Sequence, residues 1–414
     1  MAQTRPQSVP VAAVVATVPG MPGVADPANL YSETAAGKLS PAVQGALPRV
    51  YVPNRRANTV SVIDPETLQV IDTFKVGRNP QHVVPSWDLK TLWVANNAEG
   101  RTDGSLTPID PWTGKPGPSI AVDDPYNVYS SPDGKSVIIV AEELKRLDFR
   151  DPATLKVQYS IATPRCGGIN HADFSIDGSF ALFTCEFDGA ITKIDLVNRR
   201  VVDTITLSPY WQRPDVVAQL TALEKKKSQL ITTQQVVVQE APELGGAICI
   251  SRGMPQDVRI SPDGTTFFVA DMLADGVHVV DGASFKQTGF IPTGPGAHGL
   301  YPSRDGTKLY VANRGTNKMM VRSGVARGSV SVIDFATRKV VQSWPIPGGG
   351  SPDMGNVSAD GKYLWLSGRF DDVVYRIETT SGEVDKIKVG REPHGLTVWP
   401  QPGRYSLGHT GNLR

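Results

Sequence analysis

Four short runs place a histidine at the start of an apolar, β-rich stretch: Asn79-Pro-Gln-His82, Gly168-Ile-Asn-His171, Gly296-Ala-His298 and Arg391-Glu-Pro-His394. They hold four of the six histidines in the 414-residue chain. Imidazoles carried on separate rigid segments and brought to one point make a transition-metal site. Copper, iron and zinc accept neutral nitrogen, and an open coordination position leaves room for substrate or dioxygen. His82, His171, His298 and His394 are therefore the expected metal ligands, with copper or iron the expected cofactor. The competing reading is that each ring only hydrogen-bonds loop backbone.

A second set of residues ends a different apolar run in each case: Asn54, Asn96, Glu142, Glu186, Asp271, Asn313 and Arg369. Carboxylates among them suit either orientation of metal-bound imidazoles through the free ring N–H, or work as an acid and base pair. Glu142, Glu186, Asp271 and Arg369 are the candidate catalytic residues. No CxxCH, HExxH, GxSxG or GxxxxGK[ST] occurs in the chain, so covalent haem, zincin, serine-hydrolase and P-loop chemistries carry no signal.

The elements that must position these residues repeat. Ser329 to Tyr363 holds an alternating run ending in an acid, a turn, a second β-rich run, a Gly/Pro loop and a third run closing on Ala-Asp-Gly. Period-two alternation between turn residues reads as strands, and recurrence at about 40 to 45 residues with four strands per unit reads as propeller blades. Inner strands are expected near His82, Asn127, His171, Asp257, His298, Met354 and His394. Second strands end in the column of Asn54 to Arg369, and third strands end at Asp64, Asp110, Asp151, Asp195, Asp281, Asp334 and Glu378. Each column counts seven. The N-terminal piece from Arg49 lacks an inner strand, and the C-terminal HGLTVWPQPGRYSLGH supplies one with nothing after it. The expectation is an all-β, seven-bladed β-propeller closed by N- and C-terminal strands sharing one blade.

The spacing does not by itself make all four histidines converge. His82 and His171 lie six residues before the aspartate of the following turn, whereas His298 lies seven before Asp305, and neighbouring strand positions face opposite ways.

YVPNRRANTVSVID, LYVANRG followed by GSVSVID, and the repeated Ser-Pro-Asp-Gly turns resemble the YVTN-repeat, YncE-like propellers over roughly residues 49 to 408. The resemblance implies the fold and leaves chemistry open. Propellers of the haem-binding nitrite reductase kind share similar repeats but are built with eight blades, against a count of seven here.

Residues 1–48 read as an extended N-terminal arm, 49–408 as the propeller, 208–254 as an insertion forming a lid, and 409–414 as a C-terminal tail. Links from outer to next inner strand and from second to third strand emerge on one face, and the two longest insertions, Ser208 to Met254 and Thr316 to Arg327, both belong there. Within the first, Val217, Leu220, Leu223 and Leu230 fall at helical spacing, so the lid is expected to be partly helical. His409 is expected to fray with the tail. The three cysteines are expected as free thiols, with a Cys166–Cys185 pair as the alternative.

Net charge is +1, which gives no strong pull towards nucleic acid or an anionic membrane. No apolar run is long enough to span a bilayer. The arm, rich in Ala, Pro and Val, suits an exported protein supplied without its leader, periplasmic or secreted, with a disordered cytoplasmic tail as the alternative. Three functions compete: a propeller binding a metal or small ligand at its lidded mouth, with oxidoreductase activity a further step; a non-catalytic module for a small molecule or partner protein; and an enzyme of lactonase or lyase type.

Overall fold

The computed structural model describes residues 14–228, 239–240, 248–249, 253–315, 328–409 and 411–414. Seven sheets of four or more strands succeed one another around an axis. One joins the C-terminal Thr397–Trp399 to Arg49–Asn54, Thr59–Ile63 and Val70–Lys75, so the two ends of the chain share a blade. The remaining inner strands are Pro80–Pro85, Pro125–Ser130, Ile169–Phe174, Pro255–Ile260, Ala297–Pro302 and Pro352–Val357, matching the seven expected positions. Neighbouring blades bury Val, Ile, Leu and aromatic side chains between their faces. Tyr301, Met354, Leu366 and Tyr375 form one such cluster, and Val50, Trp365, Leu396 and Val398 form the next.

The turn signatures have a direct physical reading. In Ser-Pro-Asp-Gly the serine hydroxyl donates to the aspartate and accepts an N–H five residues on, as Ser131 does with Asp133 at 2.7 Å and with the Ser136 N–H at 2.9 Å. The glycine takes a left-handed φ, +70° at Gly134 and +71° at Gly264, which costs other residues a Cβ clash. Third-strand acids accept the N–H groups of their own turns, as Asp64 does from Glu66 and Thr67. These acids are turn residues with no reach to the axis.

Two expectations change. Cys166 and Cys185 form a disulfide where free thiols were expected, because Gly167 and Gly168 fold that loop back onto the end of the second strand, where the Glu186 N–H donates to the Gly168 carbonyl. The tail does not fray. Ser406–Gly408 adds to the axial side of Pro125–Ser130, and Asn412–Leu413 pairs back on it. Arg414, 5% exposed, sits 2.7 Å from Asp173. On the same face the arm crosses the first-to-second-strand turns: the Val18 N–H donates to Asp177 O, Leu30 N–H to Pro262 O, and the Tyr31 hydroxyl to Ile260 O at 2.6 Å. Arm and tail together close the end of the channel opposite the mouth.

In the insertion, Pro214–Ser228 forms a helix, α1; Leu230 and most of residues 229–252 lie outside the described residues. No described helix is long and apolar enough to cross a membrane.

Inner strands pass close to their partners. A Cβ on Gly355 would lie 1.7 Å from the Trp365 carbonyl oxygen, whereas one on Gly23 in the arm meets nothing within 4 Å. Gly355→Ala should therefore cost about 1–3 kcal/mol or more of unfolding free energy and Gly23→Ala little. Denaturant midpoints of the two variants check this, and equal midpoints would contradict the packing.

Candidate functional site

Each inner strand opens with a bulge. Pro80 pairs with Asn96 but His82 with Ala95; Ala297 pairs with Asn313 but Gly299 with Ala312; the strands at Ile169, Pro255 and Pro352 skip likewise. A bulge sets two residues against one and breaks the alternation of faces. Two successive residues per blade thereby line the channel as two layers. The upper layer, nearer the mouth, holds Gln81, Tyr126, Asn170, Gln256, His298, Asp353 and His394. The lower holds His82, Asn127, His171 and Asp257, with Gly299, Met354 and Gly395 at the other places. The one-residue offset of His298 is thus the step between layers.

All four expected histidines lie on the channel and are 0–1% exposed. Ring centroids run 5.2 Å from His82 to His171, 4.8 Å from His82 to His394 and 6.3 Å from His394 to His298. A fifth histidine, expected in a frayed tail, joins them. His409 lies 4.4 Å from His171 and 5.1 Å from His82. Its only sequence signal is that the tail reaches past the closing strand.

In the lower layer, one nitrogen each of His82, His171 and His409 lie within 4.8 Å of one another. Three nitrogens bound to one metal at about 2.1 Å stand about 3.4 to 3.6 Å apart, so this set closes on an ion with ring shifts of somewhat under an ångström each. His82 is 0% exposed, yet neither ring nitrogen has a hydrogen-bond partner, and His171 Nε2 has none either. Such orphaned groups cost about 1–3 kcal/mol each. The His82 ring fills space that Gly395 leaves: a Cβ there would lie 2.0 Å from His82 Nδ1. Asn127 Nδ2 bridges His171 Nδ1 at 3.2 Å and His409 Nδ1 at 3.1 Å, fixing both rings. Asp257 Oδ1 stands 3.7 Å from His409 Nε2.

The upper layer is charged. Asp353, 0% exposed, takes Arg314 at 2.8 Å and His298 Nδ1 at 3.0 Å on one oxygen, with Arg369 at 3.7 Å and His394 Nε2 at 3.6 Å from the other. Burial alone would raise its pKa, but Arg314 and then the two histidines hold it well below the usual carboxylate range. His298, Asp353 and His394 have the composition of a cation site, but two guanidiniums already occupy the carboxylate, and their charge opposes a metal there.

The mouth corrects the second sequence column. In register, the second strands end at Asn54, Asn96, Ala141, Cys185, Asp271, Asn313 and Gly368. Glu142, Glu186 and Arg369 stand one residue further on, level with Arg55, Asn97, Met272 and Arg314. The motif column mixes the two positions, and a one-residue slip changes which way a side chain faces. Asn54 and Asn96 bond third-strand hydroxyls. Asp271 accepts the N–H groups of Met254, Leu273 and Ala274 and meets His278 Nε2 at 3.1 Å. The structure therefore brings Glu142, Glu186 and Arg369 to the mouth and keeps Asp271 in its own turn. Burial, and then Glu186, holds the Glu142 carboxyl well above its ordinary value; burial also raises Glu186, against Gln256 and Arg314.

The profile of the YNCE-like beta-propeller family matches residues 7–152 and 251–402. No curated protein matches in sequence. Among solved structures, the chain is similar to hydrazine synthase of Kuenenia stuttgartiensis, at 19% identity over 76% of this chain and 87% of that one, with a TM-score of 0.54. It is similar to the dihydro-heme d1 dehydrogenase NirN at 14% identity, 95% and 83% coverage and a TM-score of 0.54. A Lactobacillus plantarum protein matches at 14%, 84% and 98%, with a TM-score of 0.59. At these identities the likeness is one of fold.

Burial lowers the folded-state pKa of all five channel histidines, His298 to about 4 and the others well below their usual value. The unfolded chain then binds protons more readily. Stability is full above about pH 6.5 and is lost as pH falls towards 4, by up to about 1.4 kcal/mol per pH unit for each ring. Urea unfolding across this range should show proton uptake approaching five; pH-independent stability would mean that the rings are solvated.

Proposed function

The chain belongs to the YNCE-like β-propeller family, and we propose that it uses this scaffold to bind one transition-metal ion in the channel, at His82, His171 and His409. The observation that carries the reading is the buried His82 ring with two unpartnered nitrogens, facing a second unpartnered imidazole nitrogen within ligand reach. Burial keeps these rings neutral near pH 7, the protonation state a metal requires. An all-imidazole set suits copper, which leads the divalent series in affinity, with iron next in interest. Contacts of 4.4–5.2 Å between ring centroids leave room for an ion.

Asn127 Nδ2 donates to Nδ1 of His171 and of His409, so an ion bound through Nε2 requires the ring proton to move to Nδ1 and the amide to turn and accept it. Asp257 lies 3.7 Å from His409 Nε2. Above the ion the His394 ring and the Tyr126 ring, 5.6 Å from His82, separate it from the mouth. Burial holds the carboxyls of Glu142 and Glu186 there above their ordinary range. Metal below and carboxyls above suit redox chemistry on a small molecule entering through the mouth. The Cys166–Cys185 disulfide supports a location outside the reducing cytoplasm.

Metal analysis of protein purified without added metal tests this. Wild type should carry about one copper or iron per chain, and a His82→Ala, His171→Ala double variant should carry none while keeping the wild-type β-sheet circular dichroism. His409→Ala should lower affinity with the ring intact. Metal-free wild-type protein that stays metal-free after exposure to copper and iron would sink the proposal.

A further inference from the structure

The upper layer contains a mismatch that the metal does not address. Arg314 and Arg369 converge on the single carboxylate of Asp353, and both stack against Phe370, at 5.6 and 5.7 Å. Arg314 is 3% exposed and Arg369 16%, and the Nε of each is buried without a hydrogen-bond partner. Arg314 and Arg369 find one carboxylate in contact, with Glu186 acting on both from the mouth, and a guanidinium in a low-dielectric setting is where an anion gains most.

A second mismatch lies beside it. His394 Nδ1 stands 3.0 Å from the Gln81 carbonyl oxygen. A carbonyl only accepts, so Nδ1 carries the proton and Nε2 presents a lone pair. That lone pair faces Asp353 Oδ2 at 3.6 Å, and neither atom has a hydrogen-bond donor. Two buried acceptors pointed at each other call for a donor between them.

We propose that the upper layer is a binding site for a small oxyanion that bears its own hydroxyl, such as an α-hydroxycarboxylate or bicarbonate. The anionic oxygens lie on Arg314 and Arg369, and the hydroxyl shares its one proton between His394 Nε2 and Asp353 Oδ2. Arg369, the more exposed guanidinium, receives the ligand from the mouth. This deepens the reading of the channel as a ligand site and names the substrate class that would meet the metal from above. The anion site is nonetheless complete without the ion, so the two readings fail separately.

The test is calorimetry on the full chain stripped of metal with a chelator, using glycolate, acetate and glycolamide. Glycolate should bind saturably; acetate, lacking the hydroxyl, and glycolamide, lacking the charge, should each bind about 10-fold more weakly or worse. Arg369→Gln should weaken glycolate by a similar factor with unchanged circular dichroism. Bicarbonate should displace glycolate from the wild-type chain, a measurement that needs no variant. Equal affinities for glycolate and glycolamide, an absence of saturable glycolate binding, or binding that appears only after a divalent cation is restored would each overturn the proposal.

Discussion

An inner strand of a propeller has a strand neighbour on one side only. Its axial edge faces the channel, where N–H groups have no ladder partner and no free access to water, and a buried donor left unpaired is costly. Here the next blade is served by side chains of the one before it. Asp173 accepts the Ile260 N–H at 2.9 Å, Asp257 the Leu300 N–H at 2.9 Å, the Tyr129 hydroxyl the Ala172 N–H at 2.7 Å, the Tyr301 hydroxyl the Gly355 N–H at 2.8 Å, and Asn356 the Val398 N–H at 2.7 Å. The ring is therefore held at its axis by polar bonds that run from blade to blade. Whatever lies in the channel must fit around them.

That constraint explains why the blade count was legible in the sequence and the site only partly so. Strands and turns are local: Ser131-Pro132-Asp133-Gly134 makes its own hydrogen bonds whatever the neighbours do. The position of His298 relative to His82 is not local. It depends on where each bulge falls, and a bulge is set by the register against the second strand. The same holds at the mouth, where Val-Ala-Asn96 and Val-Ala-Glu142 align by eye, yet in register Ala141, not Glu142, matches Asn96. His409 was illegible for a different reason. Nothing in Gly-His-Thr-Gly-Asn-Leu-Arg marks it for burial until the open end of the channel exists to receive it. The Cys166–Cys185 bond likewise depends on a loop conformation that composition does not encode.

Closure of the lower end gives the channel a polarity that the repeats lack. Arg414 and Asn412 come to Asp173 through the tail, and Arg259 lies 3.7 Å from Asp257. The acids that bridge blades at the lower end thus already have cations. At the other end, Glu142, Glu186 and Arg369 are each partly exposed. Solutes therefore meet the mouth first, then the charged layer, then the imidazoles.

The order of those two layers matters for what each can hold. Placed beside Arg314 and Arg369, a cation would have to displace guanidiniums that already neutralise Asp353, losing two charge-assisted contacts to gain one. One layer down, the surroundings of His82, His171 and His409 are an amide and a carboxylate that stands back at 3.7 Å. There a cation meets imidazole nitrogens and no like charge in contact. An anion finds the reverse: repelled by carboxylates below, it gains most where Arg314 and Arg369 share one partner. Opposite charges are thereby sorted to adjacent levels of one pore by a single-residue step in the strand, the same step that separates His298 from His82 in the sequence. The bulge that re-aims one side chain per blade is what allows a repeat with nearly identical turns to build two chemically different rings.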